Sequence, residues 1–507
     1  MPGSLSVSAL DQKHPEWIEF HQFWEQIDLL YEGGWAIKQR ASNFLWSRPA
    51  EPGQVYSARL SQFIYQNILG GAIGWYTSKL AEQPLSIHLT TAGGEEIADN
   101  PLAPFLANCD RAGTTLIQMP KQWFEAAVLY GVSYCLLDLP AAERNLNLRQ
   151  QRLSGALDPY LINFTPQQVI NWGDDRYGNL AWIVIRTEER QQELGGTPAI
   201  TDRWYYFDTD RFRVYESVRA DGQSLGTADE RMAQLVAEGP HALAGTGRVP
   251  VRRISLPHGL RLGYRVFPQV LAHLNQDNAY QWALMMGCLP VAVITGDYLE
   301  PPKISETAYI KLSTGDTFSY TEPAGRSYKV AADRIASLRE EIYRQMYLQA
   351  QGRSSSASAS ASSGYSKELD MAPSSDVLNE FGAILREATR QTIEDAAYAS
   401  AMPPDLAIEI QGFAFEDRDE LGEIVSVQAA LDLNIPSDTF EKFALKRAAL
   451  HFMEDASSSQ LRDKVAQEIE TAPTKSERAQ MQQQAQAGTF GHSLETSLAK
   501  IAAREAA

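Results

Sequence analysis

Cysteine and histidine are scarce in this chain of 507 residues, and neither is spaced as a metal site requires. The three cysteines, Cys109, Cys135 and Cys288, lie far apart, which predicts buried thiols in a reducing compartment. The eight histidines are scattered, and the sequence contains no HExxH, CxxC or Walker A motif. We therefore expect no metal and no cofactor.

Long apolar runs and excess positive charge are also missing. No run approaches the roughly 18 apolar residues of a membrane span, and the first residues, MPGSLSVSALDQKHPEW, lack the apolar core of a signal peptide. We expect synthesis in the cytosol and no membrane contact. The net charge of −18 argues against a protein that grips nucleic acid through its phosphates, although nucleic acid could still slide past it. With 44% apolar residues, most of the chain should fold, into two to four domains.

The stretch from about residue 330 to residue 400 predicts a helix, a loop and a second helix. Ile335, Leu338, Ile342 and Met346 form one narrow apolar stripe at helical spacing, so the first helix should lie between a few neighbours. The loop, GRSSSASASASSG at 352–364, has no large apolar group to bury and should stay mobile. The second helix is expected to begin at a cap formed by one of three residues, Ser374, Ser375 or Asp376.

The rest of the chain predicts an α+β protein. Further helices are expected at 14–50, interrupted by Gly33–Gly34, at 56–84, within 99–121, over the first half of 122–140, and at 262–290, with Pro268 in the first turn of the last one. Strands are expected at 132–139, 160–164, 180–186, 201–217, 249–257 and 406–416, and a compact β segment at 291–328. A turn is expected at 171–179, a polar surface excursion at 218–247, and polar helices from 417 onward.

Two short motifs suggest chemistry, and both are better explained as turns. Gly222-Gln223-Ser224-Leu225-Gly226 matches the nucleophile elbow of serine hydrolases, but the surrounding VRADGQSLGTADE lacks the apolar strand that would position Ser224. Asp208-Thr209-Asp210 could suggest a divalent metal, yet it lies between strand-like segments as an acidic turn. The sequence therefore predicts no active site and no enzyme activity.

Several stretches, in this order, carry a family resemblance. They are LLYEGGWAIKQRASNFL, FIYQNILGGAIGWYTSKLAEQP, VLYGVSYCLLDLP, PYLINFTPQQVINW, LNQDNAYQWALMMGCLPVAVITG and SSGYSKELDMAPSSDVLNEF. Over about 14–460 the chain resembles the portal proteins of long-tailed, siphovirus-type bacteriophages.

The resemblance implies a portal-type fold. It has a mixed α/β wing at 1–261 and 373–416, stem helices at 262–290 and 329–351, and a small β-rich clip at 291–328. A tunnel loop at 352–372 and a helical crown and tail at 417–507 complete it.

The resemblance also implies roles for named residues. The DNA-facing tunnel loop would comprise Gly352, Arg353, Ser354, Ser355, Ser356, Ser358, Ser360, Ser362, Ser363, Gly364 and Lys367. The stem, channel and subunit interface would comprise Arg334, Arg339, Glu340, Glu341 and Arg344, and we expect the three arginines to pair with acids of a neighbouring copy. The clip would dock partners through Tyr298, Glu300, Lys303, Lys311 and Asp316.

The implied partners follow from the same family. They are other copies in a ring of about twelve, double-stranded DNA in the channel, the terminase large subunit, a head-completion or adaptor protein, the major capsid protein and a scaffolding protein. The implied location is one vertex of the virion capsid.

Two alternatives stay open at this point. One is a soluble hydrolase that uses Ser224. The other is a non-portal structural adaptor in which 352–364 is a flexible linker.

Overall fold

The computed structural model describes residues 3–82, 85–91, 102–140, 147–191, 199–220, 231–287, 291–295, 315, 317–321, 326–349, 364–402, 406–413, 428–429, 437–452 and 459–472. The chain divides into two units, Met1–Phe415 and Glu416–Ala507. The architecture is mixed α and β, as predicted.

The described helices of the first unit range from four to 36 residues in length. They are α1 (Val7–Leu10), α2 (Pro15–Glu32), α3 (Gly34–Gln39), α4 (Gly53–Ser61), α5 (Ile68–Glu82), α6 (Ala103–Ala107), α7 (Met119–Tyr130), α8 (Leu148–Leu153), α9 (Leu262–Gly287), α10 (Arg326–Gln345) and α11 (Gly364–Ala399). Short 3₁₀ turns cover Ala41–Asn43 and His258–Leu260.

The strands are antiparallel to their neighbours throughout the described sheets. They are β1 (Ser4–Ser6), β2 (Ser86–Thr91), β3 (Val132–Asp138), β4 (Tyr160–Phe164), β5 (Val169–Asp174), β6 (Leu180–Gln191), β7 (Ala199–Phe207), β8 (Arg211–Ala220), β9 (Met232–Pro240), β10 (Val251–Ser255), β11 (Val291–Thr295), β12 (Thr317–Thr321) and β13 (Leu406–Gln411). The sheet orders are β1-β9-β8-β7-β6-β5, β10-β3-β4, β11-β12 and β13-β2.

The main core lies where α5, α7 and α11 meet. Tyr76, Phe124 and Phe381 form a buried aromatic cluster there, with the rings of Phe124 and Phe381 edge to face at 5.0 Å between centroids. Each ring is 1% exposed or less. Aromatic pairs in this geometry stabilise a core beyond the area they bury, so the cluster ties residues far apart in sequence together.

The boundary between α2 and α3 is the one predicted at Gly33–Gly34. Both glycines have positive φ, 64° and 52°, a backbone region that other residues adopt at a cost. The side-chain amide of Asn67 stands 2.7 Å from where a Cβ on Gly33 would lie, so a larger residue would also have to displace this amide.

Three helix predictions need correction. The helix expected at 56–84 is two helices, α4 and α5, because residues 62–67 leave the helical path and bind other parts of the chain through their backbone. Pro268 is the seventh residue of α9 and so lies beyond its first turn. The second helix of the 330–400 stretch begins at Gly364, ten residues before the predicted cap, and carries Pro373 inside it.

Two strand predictions also need correction. Residues 169–174 form β5, so the turn before β6 starts at Asp175, whose carboxylate accepts hydrogen bonds from the backbone of Tyr177 and Asn179. The predicted excursion at 218–247 contains strand β9, which pairs with both β8 and β1. Cys109 and Cys135 are buried and free, as predicted, and burial raises the pKa of each thiol to about 12; Cys288 lies outside the described residues.

The second unit contains two described helices, α12 (Asp438–Phe452) and α13 (Ser459–Thr471), as the polar helical prediction for this part expected. The Lys442 Nζ donates to the Glu470 backbone carbonyl at 2.7 Å and joins the two helices. Across the described part of the chain, no helix is both long and apolar enough to cross a bilayer.

Candidate functional site

The stem candidate is a pair of antiparallel helices closed at one end by a β hairpin. α9 leads into β11, β12 pairs with β11 in antiparallel register, and α10 runs back along α9. The Arg265 guanidinium donates to the Tyr347 hydroxyl at 2.8 Å near one end of the pair. The Tyr328 hydroxyl donates to the Ala283 carbonyl at 3.4 Å near the hairpin end, which fixes the register of the two helices.

The buried stripe of α10 matches the stripe read from the sequence. Leu338, Ile342 and Met346 are 5% exposed or less, and Ile335 is half-buried. Because these residues recur every three or four positions, one side of α10 is apolar and the opposite side is left for charges.

The five predicted stem residues lie on α10, and their contacts differ. Arg334, Arg339, Glu340 and Arg344 are exposed, and Glu341 is half-buried. Arg344 pairs with Glu341 of its own helix at 2.6 Å, and this guanidinium, together with Gln345, lowers the pKa of Glu341 to about 2. Arg339 lies 5.8 Å from the ring centroid of Tyr343. Arg344 thus has an acidic partner within its own chain, and the pairing of the three arginines with acids of a neighbouring copy stays a prediction.

Sequence reasoning missed a buried polar stripe on α9 that holds two loops. Asn275 accepts from the Trp46 backbone N–H at 2.8 Å and donates to the Phe44 carbonyl at 2.9 Å. The Asn278 side chain binds Ile64 in the same manner. It accepts from the Ile64 backbone N–H and donates to the Ile64 carbonyl. The polar run HLNQDN inside an otherwise apolar helix was the signal available, because buried amides need partners.

A second missed feature is a buried charge cluster on the six-stranded sheet. Asp202 on β7 is fully buried, and three arginines surround its carboxylate. Arg219 donates to it at 2.8 Å, Arg186 at 3.1 Å, and Arg231 lies at 3.7 Å. Glu188 adds a second acid beside Arg219 at 3.2 Å. The sheet therefore contains a compensated ionic cluster, which joins β6, β7 and β8.

The other predicted residues fall outside or at the edge of what is described. The tunnel-loop residues from Gly352 to Ser363 and the clip residues Tyr298, Glu300, Lys303, Lys311 and Asp316 lie outside the described residues, as does Ser224. Gly364 is the first residue of α11, and Lys367 lies in the first turn of that helix, where a loop had been expected.

The described residues that suggested chemistry in the sequence have structural roles. The Asp208 carboxylate accepts from the backbone N–H groups of Asp210 and Arg211, which makes 208–210 the acidic hairpin turn that the sequence predicted. The ring of His241 is engaged on both sides, with the Asp208 carbonyl at 3.0 Å and the Leu243 backbone N–H at 3.1 Å. Within the described ranges, no three metal-ligating side chains come together.

Comparisons with known proteins gave matches to solved structures only. No family model and no curated protein matches the sequence. The neck of an empty gene transfer agent particle, computed with C6 symmetry, has a TM-score of 0.39 at 13% identity over 84% of this chain and 96% of that one.

Two further matches are of the same kind. The virion of a native gene transfer agent particle has a TM-score of 0.37 at 12% identity, over 86% of this chain and 98% of that one. The neck of a native particle, computed with C12 symmetry, has a TM-score of 0.33 at 11% identity, over 87% and 100%. At these TM-scores the likeness does not define a fold family, and the conclusions below rest on the residues of this chain.

Proposed function

We propose that this chain is a portal protein of a tailed bacteriophage, a structural subunit without catalytic activity. About twelve copies would form a ring at one capsid vertex. Double-stranded DNA would enter and leave through the centre of the ring, and the terminase motor and later the head-completion proteins would dock on its outer end.

The observation that carries this proposal is the pair α9 and α10 with its terminal hairpin β11–β12. The pair and its hairpin lie at the positions in the chain where the resemblance to portal proteins implies a stem and a clip. One element would serve two tasks, since the paired helices can line a channel while the hairpin at their end meets a partner.

The negative net charge of the chain is better suited to the passage of DNA than to tight binding of DNA. A basic channel would hold each phosphate through counterion release and so resist movement of DNA. This chain carries a net charge of −18. Between Asp333 and Arg344, α10 carries three basic and three acidic residues, so the charges of this segment cancel.

The hydrolase alternative has less support. A serine nucleophile needs a base with a free ring nitrogen. His241, the first of the five histidines that follow Ser224 in the sequence, does not offer such a nitrogen, because both of its ring nitrogens are directed at backbone groups. The adaptor alternative shares the fold and differs only in predicting a monomer.

Deletion of residues 354–362 tests the proposed role of the loop in DNA passage. We expect the deleted protein to assemble as the full chain does, because the segment contains only serine and alanine, while DNA packaging into particles falls by about ten-fold or more. Packaged DNA per particle is the measurement.

The matched control keeps the length and composition of the segment but shuffles its serines and alanines. Packaging at the level of the full chain is expected for this control. Full packaging by the deletion variant would contradict the assignment of 352–364 to the channel, and loss of assembly would place the segment in the ring itself.

A further inference from the structure

Residues 46–50, Trp-Ser-Arg-Pro-Ala, form an exposed turn that precedes α4. Trp46 is 59% exposed, although the two residues before it, Phe44 and Leu45, are buried in the core. A tryptophan that is mostly exposed is unusual, because tryptophans are highly buried on average. We call residues 46–50 the Trp46 turn.

The backbone on both sides of the Trp46 side chain is fixed from within the protein. The Trp46 N–H donates to the Asn275 side chain at 2.8 Å, and the Trp46 carbonyl accepts from both terminal nitrogens of Arg59 at 3.4 Å. Asn275 and Arg59 are both buried. The indole is therefore held out to solvent by a backbone that buried side chains keep in place.

The Trp46 turn is closed by a buried ion pair. Arg59 donates to both carboxylate oxygens of Glu51, at 2.8 and 2.9 Å, and the two side chains are each 4% exposed. The same carboxylate accepts from the Arg48 backbone N–H at 3.0 Å. Ala50 has a φ of 59°, which costs free energy in a residue with a Cβ. A strained and tightly held turn that leaves its largest side chain in solvent is typical of a surface that is preorganised for a partner.

The segment that contains the Trp46 turn is basic, whereas the chain as a whole is acidic. Residues 33–50 include no acidic residue and three basic ones, Lys38, Arg40 and Arg48. The whole chain carries −18 and this segment carries +3, so the rest of the chain carries −21. The surface that this segment meets should therefore be acidic.

Arg48 completes the exposed surface of the turn. It is exposed and lies two residues after Trp46. The nearby Glu51 carboxylate is already engaged by Arg59, so the Arg48 guanidinium is available to a partner. Tryptophan and arginine are the residues that most often contribute a large share of the binding free energy at protein interfaces.

We propose that the Trp46 turn packs against an acidic surface of the next copy in the ring, where Trp46 becomes buried and Arg48 pairs with a carboxylate. This inference rests on the proposed function, since the ring brings the copies side by side. A second copy is the acidic partner because copies that each carry −18 repel one another, and a basic contact offsets this repulsion.

Two single substitutions, Trp46→Ala and Arg48→Glu, test the contact. Each should raise the protein concentration needed for half-assembly by about ten-fold or more, because each removes an anchor of the interface. Light scattering over a range of protein concentrations gives the half-assembly point. The bonds that hold the turn come from the backbone of these two residues, so both variants should fold, and thermal unfolding of the dissociated protein checks this.

Salt separates the two contributions to the contact. The ratio of the half-assembly concentration of Arg48→Glu to that of the full chain should fall to about three-fold or less at about 0.5 M salt, because salt screens charges at a surface. The ratio for Trp46→Ala should not fall, since the burial of an indole does not depend on charge.

The turn between β5 and β6 provides the matched controls. It also displays an aromatic residue and an arginine, since Tyr177 is 73% exposed and the Arg176 guanidinium lies 4.5 Å from the centroid of the Tyr177 ring. Asp174 and Asp175 precede this pair, so this turn lacks an excess of positive charge. Tyr177→Ala and Arg176→Glu should assemble as the full chain does.

The outcomes separate this contact from the proposed function. A ring that forms at the same protein concentration in the Trp46 and Arg48 variants as in the full chain would overturn the contact and leave the portal role standing. Equal loss of assembly in the control variants would also overturn it, because the loss would then be a general effect of a changed surface. A full chain that stays monomeric at every concentration would overturn both.

Discussion

Replacing Gly382 with alanine is expected to destabilise the first unit by about 3 kcal/mol or more. A Cβ on residue 382 of α11 would overlap the carbonyl oxygen of Phe413 and lie 3.0 Å from the Cβ of Phe413. Phe413 cannot move aside, because its side chain is fully buried and Arg386 donates to the carbonyls of Gly412 and Phe413 at 2.8 Å each. Denaturant unfolding, read as the free energy of unfolding, is the measurement.

Gly71→Ala is the matched control for this effect. Gly71 lies inside α5, and a Cβ added there meets no atom within 4 Å. Alanine should raise the free energy of unfolding by about 0.5–1 kcal/mol, since it loses less backbone entropy in a helix than glycine does. Equal stability of Gly382→Ala and the full chain would show that the segment around Phe413 does not approach α11 closely.

Replacing Asp202 with alanine should cost about 3–5 kcal/mol, because removal of one partner from a buried ionic cluster leaves uncompensated charge. Arg186 and Arg219 would lose the carboxylate that each now binds within 3.1 Å. Thermal unfolding of the variant beside the full chain measures the loss. Asp202→Asn should lose less, since an amide oxygen still accepts from one arginine.

Asp210→Ala provides the comparison for Asp202. Asp210 lies in the exposed turn between β7 and β8, and the hydrogen bonds of that turn are accepted by Asp208. We expect a change within about 0.5 kcal/mol. A similar small change for Asp202→Ala would contradict the view that the cluster holds β6, β7 and β8 together.

Elements with one strong local signal could be predicted from the sequence. The α9 helix, strands β3, β4 and β10 and the stripe on α10 follow from apolar spacing alone. The errors occurred where other contacts overrode the local signal. The start of α11 was expected just after Pro373, at the cap residues Ser374 to Asp376, but the helix continues through that proline, which is costly in a helix interior and is nevertheless accommodated here.

Strand β9 was missed for a related reason. Its residues, MAQLVAEGP, are mostly exposed and lie in a stretch that is polar and rich in glycine as a whole, and they form a strand because β8 and the N-terminal β1 bind its two edges. Pairing partners far apart in sequence cannot be read from local composition.

The sequence predicted where the charged residues of the stem helix α10 lie, but it did not predict which residues they contact. The charges of α10 were found by their spacing, but the pairing of Arg344 with Glu341 depends on side-chain geometry. Asp202 could have been noticed, because it shares the buried parity of its strand with Trp204, which is fully buried. An acid at such a position needs a buried partner, and the sequence does not say which arginine supplies it.

The mass of the purified protein in solution tests the ring most directly, measured by light scattering beside negative-stain images. The portal proposal predicts a particle near twelve copies, or about twelve times 56.3 kDa, with a visible central hole. A particle of 56.3 kDa at all concentrations, without rings in the images, would contradict self-assembly of this chain into a portal and favour the monomeric adaptor.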